Sequence, residues 1–392
     1  MARLHLQFVP GRRREVVRAM SYLDILRSLI EFPTYEKKGM HGCAEFLSNE
    51  LSKGGFRVIT DKLDNVYGIK EFDHGVGAFL VETNLDTVDS TTNWTKNPLS
   101  MSQEGDRLYG LDTSTKGGIA AALQVLKELK RSRFRKIEVL FSTNYEQLAD
   151  EIGIEYFLAH NKLESKTGVN LNATVQGDRF MVSLGCGGSI KFTVTTFGKQ
   201  AHIMDPSWRT KSHNAIYDMM KVIEALRRIQ TGKMTVDDFD TFAELNVSMI
   251  HGGTASIIVP SECTITCSRL VLPNENWDQV KMQIESALRT ARDVEFKTSY
   301  RHAERPYLIE RTNPATTLTV EAIQRTLGYT PKFNIQAGIT DCANLDQANA
   351  VKTVSVGPGD PYLAVNPDEY VSIKRTEEFS RVIRYILSEY TP

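Results

Sequence analysis

The sequence predicts an α/β protein whose mostly parallel sheet, with helices on both faces, is interrupted by an inserted ferredoxin-like α+β domain. Short apolar runs, such as residues 77–81 and 137–141, alternate with amphipathic stretches such as 116–130. Uninterrupted apolar runs are typical of parallel strands buried on both faces, and the amphipathic stretches predict the covering helices. A second observation, a change of pattern between about residues 189 and 300, predicts the insertion.

The inserted region shows the order β-α-β-β-α-β, which is that of a split βαβ unit. Its predicted strands and helices follow in sequence: a strand at 190–194, a helix at 212–229, strands at 244–249 and 263–271, a helix at 277–292 and a strand at 294–298. After Pro306 the α/β pattern returns. We therefore predict four segments: an N-terminal extension (1–20), the first part of the α/β domain (21–186), the small domain (187–302) and the second α/β part (303–392).

Composition excludes several classes of function. The 392 residues contain 47 Lys plus Arg and 48 Asp plus Glu, a formal net charge of −1, which gives no support to nucleic-acid or polybasic membrane binding. No apolar run approaches the roughly 18 to 20 residues of a membrane-spanning helix. The basic first twenty residues lack the apolar core of a secretory signal, and five scattered cysteines predict reduced thiols. We expect a cytoplasmic protein.

Polar residues follow several of the predicted strands of the large domain. The apolar runs end in the segments 82–86, 142–147 and 176–178, each of which carries carboxylates or amides. In open α/β sheets, ligands bind outside the carboxyl ends of the strands. The sequence therefore predicts a ligand site at this edge.

Several unlinked motifs occur in a fixed order along the chain. They are Asn84-Leu85-Asp86-Thr87-Val88, Asp106-Arg107-Leu108-Tyr109-Gly110-Leu111, Lys116-Gly117-Gly118, Gly198-Lys199-Gln200-Ala201-His202, Gly252-Gly253, Gly338-Ile339-Thr340-Asp341 and Asp368-Glu369-Tyr370. In these motifs the chain beyond residue 20 resembles the M20 family of dinuclear zinc amidohydrolases, and most closely its acetylornithine deacetylase and succinyl-diaminopimelate desuccinylase branch. The resemblance implies amide hydrolysis by a water that two zinc ions activate.

The resemblance also implies five zinc-ligand positions, and most of them carry other residues here. The two histidine positions fall on Asn84 and Val365, the bridging aspartate on Ser114 and a glutamate on Gln147, so only Asp178 keeps a carboxylate. An alternative is that the stretch before Lys116 is one residue short, which would bring Asp112 toward the site. Zinc requires imidazole, thiolate or carboxylate ligands. We therefore expect no metal ligands and no cofactor.

The catalytic and substrate-binding positions of the family match this sequence better than the zinc-ligand positions do. The resemblance implies Glu146 as the general acid/base and Asp86 as a supporting carboxylate. It also implies that His202 reaches the active site of a partner subunit and stabilises the oxyanion there. It implies substrate contacts by Arg269, which would bind a carboxylate, and by Asn214. The amides Asn84 and Gln147 are further candidates for substrate binding.

Three functions remain open at this level. The favoured hypothesis is a metal-independent enzyme or binder of a small N-acyl amino acid, amino acid or dipeptide-like ligand. The alternatives are a catalytically inactive regulatory or scaffold protein and a residual metal-dependent deacylase or peptidase. The resemblance also implies a homodimer formed through the inserted domain.

Overall fold

A computed structural model of the protein describes residues 20–90, 92–143, 153–348 and 350–388. The predicted N-terminal extension therefore lies outside the described residues except for Met20. Within these ranges the chain forms ten helices: α1 (Tyr22–Glu31), α2 (Lys37–Lys53), α3 (Thr113–Glu128), α4 (Gly153–His160), α5 (Trp208–Lys211), α6 (Ala215–Arg227), α7 (Trp277–Arg289), α8 (Pro314–Leu327), α9 (Asp341–Gln347) and α10 (Ile373–Leu387).

The strands of the described ranges form sheets of nine, four and three strands and three short pairs. They are β1 (Arg57–Thr60), β2 (Val66–Glu71), β3 (Ala78–Asn84), β4 (Ser102–Glu104), β5 (Arg107–Tyr109), β6 (Lys136–Ser142), β7 (Thr167–Asn170), β8 (Val175–Gln176), β9 (Arg179–Phe180), β10 (Val182–Cys186), β11 (Gly188–Phe197), β12 (Ala201–His202), β13 (Lys233–Val236), β14 (Phe239–Phe242), β15 (Leu245–Gly252), β16 (Ile258–Val259), β17 (Glu262–Val271), β18 (Phe296–Glu304), β19 (Tyr307–Leu308), β20 (Phe333–Gln336), β21 (Lys352–Ser355) and β22 (Tyr370–Ser372).

The large sheet has the strand order β1-β2-β6-β3-β7-β21-β10-β19, with β20 beside β10. Its four central strands, β6, β3, β7 and β21, run parallel. Asn84 is in register with Ser142, and Asn170 with Ser355, so these strands end at a common edge. That edge is where the sequence predicts a ligand site.

Helices cover both faces of this sheet. Phe79 and Val81 of β3 belong to the main apolar cluster, which includes side chains of α1, α2, α3, α8 and α10. Leu80, which lies between them in sequence, packs on the other face in a cluster with Phe157 of α4 and Leu345 of α9. Successive strand residues point to opposite faces, which is why uninterrupted apolar runs predicted a doubly covered sheet.

Local signals in the sequence set the ends of several helices. Ser21 and Asp24 form a capping box at the start of α1, in which each side chain accepts from the other residue's backbone amide. Asn313 caps α8, Pro314 occupies its first turn and Gly328 ends it in the left-handed conformation. These caps satisfy backbone groups that the helices leave unpaired.

The inserted region forms an antiparallel sheet of order β15-β17-β11-β18, packed against α6 and α7 around its own core. The chain enters it between Cys186 and Gly188 and returns to the large sheet between Glu304 and Tyr307. Both sheets confirm the predicted fold class. The sequence reading missed the hairpin β13–β14 between α6 and β15. Among the described residues, no helix is long and apolar enough to cross a membrane.

Candidate functional site

A cavity of about 510 Å³ opens at the carboxyl edge of the parallel strands. We call it the site cavity. Its lining comes from the loops after β3 and β7, the start of α3, the end of the β13–β14 hairpin and the segments 334–339 and 361–365. The volume is in the range of small-molecule sites. The position agrees with the rule for open α/β sheets.

The loop after β3 places the first predicted site residues, Asn84 and Asp86, in the cavity lining. Asn84 donates its Nδ2 to the backbone oxygen of Asp86 at 3.0 Å. Both side chains are almost completely buried. The amide donor of Asn84 thus supports the loop, and Oδ1 is the acceptor that it can offer to a ligand.

The start of α3 brings Asp112 into the same lining. Asp112 precedes the helix with a positive φ of 61°, a conformation that Asp tolerates better than most residues. Ser114, onto which the resemblance placed a metal-bridging aspartate, also lines the cavity, but its hydroxyl donates to Glu369 at 2.6 Å. Asp112 and Ser114 thus both lie in the lining, and the Ser114 hydroxyl is engaged by Glu369.

Glu369 is a buried acceptor that connects two loops of the cavity. Its Oε1 accepts from the Ser114 amide at 2.8 Å as well as from the hydroxyl, and its Oε2 accepts from the amides of Asp112 and Val365, each at 3.1 Å. Burial raises the pKa of Glu369, and these hydrogen bonds oppose the rise. Val365 has a positive φ of 55°, which is strained for a β-branched residue. The Glu369 contact helps to hold it there.

The assignment of Asp178 as the one retained ligand position is corrected by the structure. Asp178 lies at the turn between β8 and β9, its side chain is 100% exposed, and it pairs with Arg375 at 3.1 Å. The residue that reaches the cavity after β7 is Asn172, whose Oδ1 accepts from Thr83 at 3.1 Å. An asparagine side chain, and not the carboxylate of Asp178, therefore lines this part of the cavity.

A pair of buried carboxyl groups lies behind the strand ends. Glu82 of β3 is fully buried and accepts from Asn170 at 2.9 Å, and Asp341 accepts a hydrogen bond from Ser142. Burial, followed by the negative charge of Asp341, raises the pKa of Glu82 well above its usual range. Both causes disfavour the charged form of this carboxyl group.

Two predicted site residues, Glu146 and Gln147, lie outside the described residues. They belong to the segment 144–152 that follows β6 in sequence. Their predicted roles as acid/base and as substrate-binding amide stay predictions.

The small-domain candidates lie away from the lining of the site cavity. His202 of β12 accepts from the Met204 amide through Nδ1 at 3.1 Å, so the neutral ring carries its proton on Nε2. Asn214 caps α6 by accepting from Ile216 at 2.9 Å. Both are on the small domain, as expected, and the structure does not bring them to the cavity of the same chain.

Arg269 is also not brought to the cavity, and its placement departs from the predicted substrate contact. The side chain is fully buried in β17, and its two terminal nitrogens contact Glu275 at 3.2 and 2.6 Å. It also donates to the backbone oxygen of Leu270. The guanidinium therefore holds the loop between β17 and α7, which contains Glu275.

Sequence reasoning missed three residues of the site: Asn172, Glu369 and Glu82. Asn172 was passed over because Asp178 offered a carboxylate nearby in sequence. Glu369 was noted as part of a motif without a role, and its contacts with the start of α3, more than 250 residues earlier in the chain, have no local signal. A Glu inside an otherwise apolar strand, as at position 82, was the remaining signal.

The comparisons with known proteins agree with this geometry. An acetylornithine deacetylase of Buchnera aphidicola (subsp. Schizaphis graminum, strain Sg) is 22% identical over 388 residues, which cover 94% of this chain and 98% of that protein. One from Salmonella paratyphi B is 24% identical over 314 residues, 78% of this chain and 79% of the relative.

Two solved structures share the fold. The M20 family metallo-carboxypeptidase Sso-CP2 of Sulfolobus solfataricus has a TM-score of 0.77 at 17% identity and covers 93% of this chain and 98% of its own. The di-peptidase Dug1p of Saccharomyces cerevisiae has a TM-score of 0.77 at 12% identity, covering 93% and 95%.

The expectation of no cofactor was wrong, because the family match and the likeness to a metallo-carboxypeptidase point to a metal. The lining is acidic: Asp86, Asp112 and Asp240 contribute carboxylates, and its described part contains no Lys, Arg or His. Asp240 is paired with Lys233 at 2.8 Å. Asp86 and Asp112, which also interact with other groups of the protein, are the two further carboxylates of the described lining that a metal would use. In the described ranges no group of three or more His, Cys, Asp or Glu side chains could hold an ion.

The family model itself spans most of the chain. The model of peptidase family M20/M25/M40 matches residues 80–389, which include the large domain from β3 onward and the whole insertion. This match, the fold and the relatives confirm the resemblance that the motifs carried. The chain belongs to peptidase family M20/M25/M40.

Proposed function

We propose that the protein binds, and acts on the amide bond of, a small N-acyl amino acid or dipeptide-like compound. The observation that carries the proposal is the convergence of Asn84, Asp86, Asp112 and Asn172 on one ligand-sized cavity at the strand ends. The names of the relatives, an acetylornithine deacetylase and a di-peptidase, describe ligands of this kind.

In this proposal the chain supplies binding, orientation and proton transfer. Asn84 and Asn172 would hydrogen-bond the amide of the ligand, and Asp86 and Asp112 are the described carboxylates of the lining that would hold the metal to which the family relationship points. A bound metal would polarise the carbonyl and lower the pKa of a bound water. Glu146 is the candidate general base, and the Nε2 proton of His202 suits it to donate to a developing oxyanion.

A second candidate is binding without turnover. It is favoured by Val365, whose isopropyl group lines the cavity where the resemblance placed a histidine. Such a protein would be regulatory or would act as a scaffold.

Metal analysis combined with ligand titration tests the proposal. We expect the purified protein to bind Zn²⁺ or Mn²⁺, and Asp112→Asn to lower the affinity by about tenfold or more, because a charged ligand becomes neutral. Asp178→Asn is the matched control, since its carboxylate is exposed, and should leave metal binding unchanged. N-acetyl amino acids and dipeptides should then raise the thermal midpoint of the metal-loaded protein.

The outcomes separate the two candidates. Release of free amino acid supports amide hydrolysis, whereas a raised midpoint without any release supports binding alone. If no probe changes the midpoint with Zn²⁺, Mn²⁺ or a chelator, the proposal is overturned.

We also propose a homodimer through the small domain. Strand β15 is an edge of its sheet, and exposed apolar side chains of this strand and of neighbouring elements lie on the same domain. We call them the small-domain patch: Ile203, Met204, Tyr217, Met220, Met249, Ile250 and Ile257. Exposed edges and large apolar patches favour association.

Sedimentation velocity checks the dimer. We expect the wild type to sediment as a dimer and Ile250→Lys as a monomer, because a charge on the edge strand opposes pairing. Met282→Lys, at an exposed apolar position of α7 outside the patch, is the control and should remain dimeric. A monomeric wild type at micromolar concentration would contradict the proposal.

A further inference from the structure

The hairpin β13–β14 belongs to the insertion in sequence but is anchored on the large domain. Asp237, at its turn, accepts from the Phe333 amide and from Arg311, both at 2.8 Å. Near the other end of β14, the Thr241 hydroxyl donates to the backbone oxygen of Ile335 at 2.8 Å. The hairpin is therefore fixed along β20, a strand that itself contributes to the site cavity.

The base of the hairpin is fixed on the small domain. Asn274 donates to the backbone oxygen of Lys233 at 2.9 Å, and Ala243 donates to that of Gly232 at the same distance. Gly232 lies so close to Glu275 that a Cβ there would be 2.7 Å from its Oε1. Glu275 is the partner of Arg269, so the buried guanidinium supports the base of the hairpin.

Three consecutive hairpin residues, Asp240, Thr241 and Phe242, line the site cavity. Asp240 is engaged by Lys233 at 2.8 Å and by Thr235 at 2.6 Å, and the Thr241 hydroxyl is used by β20. The Phe242 side chain is apolar and 53% exposed. Of these three residues, Phe242 is the one whose side chain a ligand can cover with a gain from apolar burial.

The remaining lining favours the same kind of ligand group. Tyr362 and Val365, from the segment 361–365, add exposed apolar surface to the cavity. The described lining carries aspartates and no basic side chain, so an additional carboxylate on the ligand would be repelled. An uncharged apolar group is therefore the better fit.

We propose that the β13–β14 hairpin is the specificity wall of the site cavity, and that Phe242 selects ligands with an uncharged apolar side chain. This inference rests on the proposed function, because it names the class of amino-acid derivative that the same cavity takes. The anchoring contacts at both ends keep the wall in place, so selection follows from a preformed surface.

Calorimetric titration of the metal-loaded full-length protein tests the inference with four probes: N-acetylglycine, N-acetyl-L-leucine, N-acetyl-L-phenylalanine and N-acetyl-L-glutamate. We expect the wild type to bind the leucine and phenylalanine derivatives about tenfold more tightly than the other two. Phe242→Ala should reduce this preference to about twofold while leaving N-acetylglycine affinity nearly unchanged, because only the apolar contact is lost.

Two further variants complete the design. Phe242→Leu keeps an apolar side chain and should retain most of the preference, and Met282→Ala removes an exposed apolar side chain far from the cavity and should change nothing. If the wild type binds the probes but Phe242→Ala keeps the same preference, the specificity inference fails and the proposed function stands. If the wild type binds no probe, both are overturned.

Discussion

Glu369→Gln is expected to lower the free energy of unfolding by about 2 to 4 kcal/mol, since hydrogen bonds to a buried charged group contribute roughly 1.5 to 3 kcal/mol each. The carboxylate accepts four hydrogen bonds, two at each oxygen. A carboxamide replaces one of these oxygens by a donor. Whichever way the Gln side chain turns, two donors of the protein would then face an NH₂ group.

The same substitution should weaken ligand and metal binding. Glu369 holds the backbone of Asp112 and of Val365, both of which line the site cavity in left-handed conformations. Without the acceptor, these strained residues lose the contact that keeps them in place. We expect at least a tenfold loss of affinity for the metal or for an N-acetyl amino acid, on the scale of 1.4 kcal/mol per tenfold.

Urea unfolding and calorimetry check both effects. Glu244→Gln makes the same chemical change at an exposed position and should alter neither quantity. Ser114→Ala removes one of the four hydrogen bonds and should cost about 1.5 to 3 kcal/mol. If Glu369→Gln unfolds at the same urea concentration as the wild type, the carboxylate does not hold the two loops together.

The strands of the large sheet could be predicted because their own residues carry the signal. The run 77–81 is apolar throughout, as expected for β3. The strand nevertheless continues to Asn84, because Glu82 and Thr83 are buried by neighbouring strands. Burial of those two polar residues depends on partners distant in sequence, Asn170 and Asn172, so the sequence alone did not extend the strand.

The hairpin β13–β14 was missed for a similar reason. Its residues, Lys233 to Phe242, are too polar to indicate a strand pair by periodicity. What fixes the hairpin is its contact with Phe333 and Ile335 of β20, about ninety residues later in the chain. Tertiary contacts of this length have no local signature.

The site was predictable where residues directly follow a strand and not where a turn reverses the chain. Asn84 ends β3 and Asp86 follows it two residues later, and both reach the cavity as expected. The apolar residues shortly before Asp178 predict a strand that leads to it. The strand of the large sheet is β7, which ends at Asn170, and the turn between β8 and β9, with Gly177 at a φ of 59°, directs Asp178 to solvent. The resemblance predicted which residue types occur and in what order, but the path of the chain determines which of them line the same cavity.

Arg269 provides the second large expected effect: Arg269→Met should lower the free energy of unfolding by about 3 to 5 kcal/mol, the usual cost of breaking a buried ion pair. Its guanidinium is fully buried and contacts Glu275, which also accepts from the Leu272 amide at 2.9 Å. Without the cation, the mostly buried Glu275 carboxylate has neither its ion-pair partner nor enough solvent to stabilise its charge. Adding Glu275→Gln to the Met variant should recover part of the loss, because no charge then stays buried without its partner.

The pair of single substitutions also distinguishes a positioning role from direct substrate binding. If Arg269 acts by holding Glu275 beneath the hairpin, Glu275→Gln and Arg269→Met should both weaken the preference for N-acetyl-L-leucine over N-acetylglycine, because both loosen the wall that carries Phe242. If Arg269 instead binds the carboxylate common to all probes, Arg269→Met should weaken every probe alike, and Glu275→Gln should leave affinities unchanged. Calorimetric titration at a temperature well below the midpoint of each variant makes the comparison on folded protein. Because both terminal nitrogens of the buried Arg269 contact Glu275, we expect both substitutions to weaken the preference for N-acetyl-L-leucine.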